Sequence, residues 1–314
     1  VIKHRHTLFI GPFIISLLCA LCFEGAAAAS VRAQASNAVR VRLAVLDLGE
    51  TTVGQRVAEH LAAALSTTTA TADFHIIDRD ASRAAARGAG YAGSLNMNLQ
   101  EARDLGGAIG CDFFITGDAQ VLRRSPFSGP IYYEAYASIF AVSARTGSLL
   151  RWERESFEAS TPEEALKMLL AWIDKGAWRA RYLATLRAAR EDERQHAFVS
   201  NGEAKMIASV PEEGSPEAQG LRLPLPYRRL RPAYPETAAR AEAEGSVDVA
   251  LDLDANGEIE RVLVVRWAGF GLDEATVKTV RQLHFRPAMR DGTPLPMRVL
   301  LRYNFLKPKR DGAK

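Results

Sequence analysis

The sequence predicts an α/β plus α+β chain folded in two parts, and three observations predict it. Near the C-terminus, Val247, Val249, Leu251 and Leu253 alternate with Asp248, Ala250 and Asp252. After the turn Asp254-Ala255-Asn256-Gly257, an apolar series resumes at Ile259, Val262 and Val264. Such alternation on both sides of an Asn-Gly turn marks a hairpin, because Asn and Gly tolerate positive φ. In the N-terminal half, nearly continuous apolar runs follow one another with helix-spaced ones between them, the pattern of strands covered by helices. Between the halves, residues 191–222 are first charged and then rich in Gly, Pro, Ser and Glu, a linker by composition.

At 314 residues the chain is long enough for two domains. Its 47% apolar and 25% charged shares are those of a soluble globular protein, and a net charge of +3 predicts no nucleic-acid or other polyanion partner. Lys3, His4, Arg5 and His6 precede an apolar run over residues 8–23 and a small-residue exit, with Ala27-Ala28-Ala29 and Val31-Arg32-Ala33 as alternative cleavage sites. Residues 1–35 therefore read as a secretory signal peptide or, uncleaved, as a membrane anchor; either way the rest is exported to the periplasm. Cys19 and Cys22 fall inside that leader as small hydrophobes, so Cys111 alone remains for the folded part and no internal disulfide is expected.

Residues 39–190 read as one α/β domain. Val41, Leu43, Val45, Leu46 and Leu48 form a strand buried on both faces. Val53, Val57, Leu61, Ala64 and Leu65 define a helix face, and Phe74 to Arg79 a short strand running into a turn. Residues 99–109 are helical, with Gly110 as exit, and three strands follow over 112–122, 131–142 and 149–157. Thr161-Pro162-Glu163-Glu164 opens one long helix that continues through Ala180. Residues 223–308 read α-β-β-α-β. A helix over 236–244 opens at Pro235 and closes at Gly245, the hairpin follows, a helix covers 273–283, and Met297 to Phe305 is the last strand; residues 309–314 are a tail.

This last unit resembles the C-terminal domain of the TonB family. The likeness is carried by Pro232-Ala233-Tyr234-Pro235, Ala238, Glu244-Gly245-Ser246-Val247, Asp254-Ala255-Asn256-Gly257 and Leu272-Asp273. It continues through Phe285-Arg286-Pro287-Ala288, Asp291-Gly292-Thr293-Pro294 and Phe305. The resemblance implies a three-stranded antiparallel sheet with two helices on one face. It also implies that the last strand, exposed at the edge, takes up a short extended peptide of an outer-membrane TonB-dependent transporter by β-augmentation. Carried over, the partner-binding residues are Met297, Arg298, Val299, Leu300, Leu301, Arg302 and Tyr303. Arg231 stands where the family, which often has Gln there, contacts its transporter. Arg298 and Arg302 share one strand face; they either favour an acidic peptide or keep the edge from aggregating. Tyr234 and its flanking prolines are either fold elements or ligand contacts.

The N-terminal domain resembles the periplasmic α/β domain shared by the CsgG and TolB families. The carriers are Val45-Leu46-Asp47, Ile76-Ile77-Asp78-Arg79 and Leu105-Gly106 through Gly110-Cys111-Asp112-Phe113-Phe114-Ile115-Thr116-Gly117. The likeness implies a shared fold and no pore. TonB proteins carry an anchor whose His couples to ExbB and ExbD, and then a Pro-rich rod. Here residues 8–23 contain no His and a folded domain replaces the rod. An uncleaved leader would permit ExbB/ExbD-like partners; a cleaved one favours a non-transducing periplasmic scaffold or an assembly or secretion accessory protein. A homodimer is a further option.

No constellation demands an enzyme, a cofactor or a metal. The six histidines are scattered, and Gly106-Gly107-Ala108-Ile109-Gly110 ends a helix where a phosphate loop would begin one. Asp252, Asp254, Asn256 and Gly257 copy the start of a calcium loop, but Leu263 falls where its closing Glu belongs and strands flank the turn.

Overall fold

In the computed structural model, residues 40–66, 73–199, 207–211 and 215–307 are described. The expected leader, with Cys19 and Cys22, and the tail beyond residue 307 lie outside them. The first part is a five-stranded sheet of order β2-β1-β3-β4-β5. Its strands are β1 (Val41–Val45), β2 (Phe74–Ile76), β3 (Phe113–Arg124), β4 (Tyr132–Ser143) and β5 (Leu149–Ala159). β1 pairs in parallel with β2 and β3, while β3, β4 and β5 form an antiparallel meander.

Strand β1 is buried on both faces, as its apolar run predicts. Val41, Leu43 and Val45 pack under α1 (Thr52–Ser66), and Ala44 and Leu46 join the opposite core. On that second face lie α2 (Arg79–Gly88) and α3 (Leu99–Ile109). Asn98 and Glu101 close a capping box at the start of α3, and Gly110 ends it at φ 73°. The expected single long helix is two: α4 (Pro162–Lys175) stops at Gly176, whose φ of 71° is left-handed, and α5 (Ala177–Val199) starts afresh. α5 runs to Val199, so the first residues of the segment read as linker are helical. α2 was not foreseen. Its buried residues are only Ser82 and Ala86, too small to mark a helix by periodicity, and its start is fixed by the Asp78 side chain accepting from the Ala81 amide.

The second part is a sheet of order β10-β9-β14-β6, with β6 (Ala208–Ser209), β9 (Gly245–Leu253), β10 (Ile259–Arg266) and β14 (Met297–Phe305). Helices α6 (Glu236–Ala241) and α7 (Leu272–Val280) cover one face over Val247, Val249, Leu251, Leu253 and Val299. α6 closes earlier than Gly245, at Glu242 in the left-handed region. The expected three-stranded sheet has a fourth member, because β6 pairs in parallel with the start of β14. Short strands β7 (Leu221–Arg222) and β8 (Leu225–Pro226) pair with β12 (Ala288–Arg290) and β11 (Phe285–Arg286), and β13 (Thr293–Leu295) completes a small hairpin with β12.

The two sheets share a core, formed by Ala44, Phe114, Phe140 and Val142 of the first with Trp267 at the end of β10. Trp267, 1% exposed, stacks 6.1 Å from Phe140, and its Nε1 donates to the Gly147 carbonyl at 3.0 Å. Phe270 sits edge-on to Phe140 at 5.4 Å, and Gly269 has to be Gly, since a Cβ there would lie 2.3 Å from the Phe140 ring. Asn96 stitches the junction: its Nδ2 donates to the Ser246 and Trp267 carbonyls at 2.8 Å each, while its Oδ1 accepts from the Ser246 amide at 3.1 Å. Asp273 holds the loop from below by accepting from the Ala268 and Gly269 amides at 2.9 and 2.7 Å.

Trp267→Ala should cost about 3–5 kcal/mol by leaving an unfilled cavity. Urea denaturation of the full chain measures it, and a loss under about 1 kcal/mol would mean that the junction contributes little. Burial pushes the Asp273 carboxyl up to about 7, against the pull of the two amides. A folded pKa above the unfolded one gives stability that is complete below about pH 4 and is lost as pH rises through 7. The melting temperature should therefore carry a component falling between about pH 5 and 8. Asp273→Asn should flatten it; an unchanged slope in the variant would exclude this carboxyl as the source.

Candidate functional site

Strand β14 lies beside β9 over its whole length, from Met297 opposite Leu253 to Phe305 opposite Gly245. Side chains alternate across it. Met297, Val299, Leu301, Tyr303 and Phe305 point toward the helices, and Arg298, Leu300, Arg302 and Asn304 toward the other face. On that other face, Asp248 and Asp252 of β9 are 5% and 4% exposed. Each is covered by arginines from both neighbours. Arg298 binds Asp252 through Nε and Nη2 at 2.5 and 2.8 Å, and Arg302 binds Asp248 the same way at 2.7 and 2.8 Å. From β10, Arg261 stands opposite Asp252, and Arg266 reaches Asp248 at 3.6 Å. The hydrogen bond from Arg298 holds the Asp252 carboxyl below the usual carboxylate range, despite burial.

Both readings of Arg298 and Arg302 treated them as free charges, whereas they are pinned to aspartates of their own sheet. Asp252 is thereby occupied, and Asp254 is engaged by the amides of its own turn at Asn256 and Glu258, so the calcium-like spacing does not converge on one point. Between the two charged rows runs an apolar one, Leu263, Ala250 and Leu300, with Leu300 60% exposed.

The outer edge of β14 is divided. Ala208 and Ser209 of β6 sit opposite Met297 and Arg298, so the border expected to be free is taken at its first two positions by the chain itself. Beyond them, among the described residues, no strand pairs with the outer border of Val299 to Phe305, whose other border holds β9. That stretch faces a groove of about 690 Å³ lined by Leu301, Arg302, Tyr303, Asn304 and Phe305 on one side and by Pro226 and residues 228–232 on the other. Arg231 is exposed in this groove, and it is joined there by Arg228 and Arg229, which sequence reasoning missed. Their signal was present as the run Arg228-Arg229-Leu230-Arg231 before Pro232. Arg228 donates to the Gln282 carbonyl at 3.4 Å; among the described residues Arg229 and Arg231 meet no carboxylate. The site residues thus divide into Leu301, Tyr303 and Arg231 on the groove, Leu300 on the opposite face, Arg298 and Arg302 in ion pairs, and Met297 and Val299 buried. Tyr234 serves the fold: its hydroxyl donates to the Ala243 carbonyl at 2.6 Å, and its ring lies 6.4 Å from Phe305.

Burial pushes the Cys111 thiol up to about 12, away from its thiolate form. Among the described residues no group of three His, Cys, Asp or Glu could hold a metal, and no helix is long and apolar enough to cross a membrane.

Among solved structures, the hypothetical protein CT253 from Chlamydia trachomatis is similar at 12% identity and a TM-score of 0.32, over 48% of this chain and 99% of that one. Lipoprotein GNA1162 from Neisseria meningitidis is similar at 14% identity and 0.30, over 42% and 94%. The PelC dodecamer from Paraburkholderia phytofirmans gives 12% and 0.26, over 43% and 86%. Protein TonB of Klebsiella aerogenes is 32% identical over 84 residues, 27% of this chain and 35% of that protein, so the chain spans about a third of the length of this curated relative. The model of the Gram-negative bacterial TonB protein C-terminal matches residues 231–306, the stretch that holds β14 and, of the groove's far wall, Arg231 and Pro232. By that match and that identity, residues 231–306 form a C-terminal domain of the TonB family.

Proposed function

We propose that this domain captures an extended acidic peptide of an outer-membrane TonB-dependent transporter, within energy transduction for outer-membrane transport from the periplasm. The observation that carries the reading is the open border of β14 from Val299 to Phe305, facing a groove whose far wall carries Arg228, Arg229 and Arg231. Main-chain groups of that border would supply affinity, and the arginines a preference for acidic side chains. Because Arg298 and Arg302 already neutralise buried aspartates, the acidic preference falls on the 228–231 wall. The CsgG/TolB-like assignment of residues 39–190 and any ExbB/ExbD-like partner belong to the same proposal.

The buried junction at Trp267 favours a second reading, a non-transducing periplasmic scaffold or assembly accessory. The family's rod lets its C-terminal domain reach away from its anchor, whereas here the domain shares a core with a second sheet. Pull-down of envelope proteins on the immobilised full chain separates the two: a TonB-dependent transporter among them supports the first, and its absence beside captured assembly factors supports the second.

Two quantitative outcomes follow for a synthetic acidic transporter peptide titrated into the full chain. Arg229→Glu with Arg231→Glu should weaken binding about tenfold at low salt and less at high salt, as screening predicts. An equal loss at both salts would point to misfolding instead. Replacing residues 207–211 with Gly and Ser should tighten binding about three- to tenfold, because β6 withdraws part of the binding-competent population. Identical affinity in calorimetry would show that β6 does not compete.

A further inference from the structure

A second cleft lies away from β14, and nothing in the reading above uses it. It holds about 630 Å³ and is bounded by two sheet borders that belong to different sheets. One wall is β5, the last strand of the five-stranded sheet, at Leu149, Leu150, Arg151 and Trp152; the other is β10, the last strand of the second sheet, at Leu263 and Val264. Residues of both strand faces reach the cleft on each wall, so it opens on the borders themselves, where main-chain N–H and C=O groups look for partners. One end is shut: Asn98 bridges to Arg266, and Trp267 fills the space beside Gly147.

The floor comes from α7. Leu272, Thr276 and Val280 of this helix turn into its own core, while Glu274, Val277 and Lys278 of the helix, with Arg281 just beyond its end, line the cleft at helical spacing. Glu274 is engaged by the Trp152 Nε1 donor at 3.3 Å. Lys278 and Arg281 are exposed and, among the described residues, meet no carboxylate. An apolar slot between two open strand borders, with Lys278 and Arg281 at one rim and the Glu274 carboxylate a turn away beside Trp152, suits an extended strand.

We propose that this cleft binds a second extended peptide, apolar along the slot and acidic where it passes Lys278 and Arg281. The strand borders select a peptide over a lipid, because only a peptide offers alternating main-chain donors and acceptors to β5 or β10. At their end of the cleft the two cations favour acidic over basic residues, and Glu274 disfavours acidic ones at the other. Such a strand would join the two sheets into one continuous surface and would be independent of whatever binds β14.

The test uses the full chain and a fluorescein-labelled, end-blocked hexapeptide of valine with two glutamates, carrying a photoreactive group. Fluorescence anisotropy reads binding, and mass spectrometry of the cross-linked product reads position. The expected result is saturable binding, cross-links on residues 148–152 or 263–281, and at least a tenfold loss in Lys278→Glu with Arg281→Glu. Because both reversed residues are exposed, circular dichroism and melting of the variant check that it is folded. The proposal is overturned by absent binding, by cross-links confined to residues 299–305, by equal affinity in the folded variant, or by palmitate occupying the cleft when the peptide does not.

Discussion

Trp267 stands where β10 ends, and its burial between Phe140, Phe270 and the Gly147 carbonyl couples the two sheets. A sheet strand that stops in solvent leaves its last main-chain groups hydrated. Here they stop in a core, where unpaired groups are costly, and every one that the junction exposes has to be met. Asn96 is suited to this because a primary amide carries donors and an acceptor on one planar group. It answers the carbonyls of Ser246 and Trp267 and the amide of Ser246 together, at the point where β9 and β10 part. The loop that follows can turn back only with Gly269 against the Phe140 ring and with Asp273 accepting from two amides beneath it.

The buried aspartates constrain β14 in a complementary way. A carboxylate out of water is unfavourable unless paired and hydrogen-bonded, and Asp248 and Asp252 take their two-nitrogen ion pairs from Arg302 and Arg298 directly opposite. A one-residue slip of β14 would turn both arginines toward the helices and take from each aspartate its two-nitrogen ion pair, while Val299 and Leu301 would leave the core. Register is therefore fixed by charge on one face and by apolar burial on the other. The open stretch from Val299 to Phe305 is held in place by its pairing with β9 and by burial against the helices.

Most of this architecture was legible. Alternation around Asn256-Gly257 located the β9–β10 hairpin, and the apolar run at Val41 to Leu46 announced a strand buried on both faces. What escaped has physical reasons. α2 buries only Ser82 and Ala86, so no periodic signal exists. β6 is two exposed residues whose pairing depends on β14 rather than on their own sequence. Gly176 sits inside a pattern that is helical on both sides, and only its left-handed φ makes it a break. At the site, Arg298 and Arg302 looked free because a sequence does not show which cross-strand partner faces them. Trp267 carries no signal of its role in the sequence, since its packing partners Phe140 and Gly147 lie far away in the chain.

The way the sheets join also bears on how this molecule would respond to a pull. A peptide paired along β14 loads the border strand in shear, so its hydrogen bonds resist together rather than one after another. From β14 the load passes to β9 through nine register pairs and two buried ion-pair rows. At Ser246 and Trp267 it meets Asn96, and from there the five-stranded sheet behind Phe140. In a molecule with a swinging rod, displacement of the C-terminal domain leaves the rest of the chain unstrained. In this one the same displacement has to be shared with the α/β sheet or break the aromatic core between them. Whichever partner β14 receives, the force or position it imposes is carried to the aromatic junction that Trp267 anchors between Phe140 and the Gly147 carbonyl.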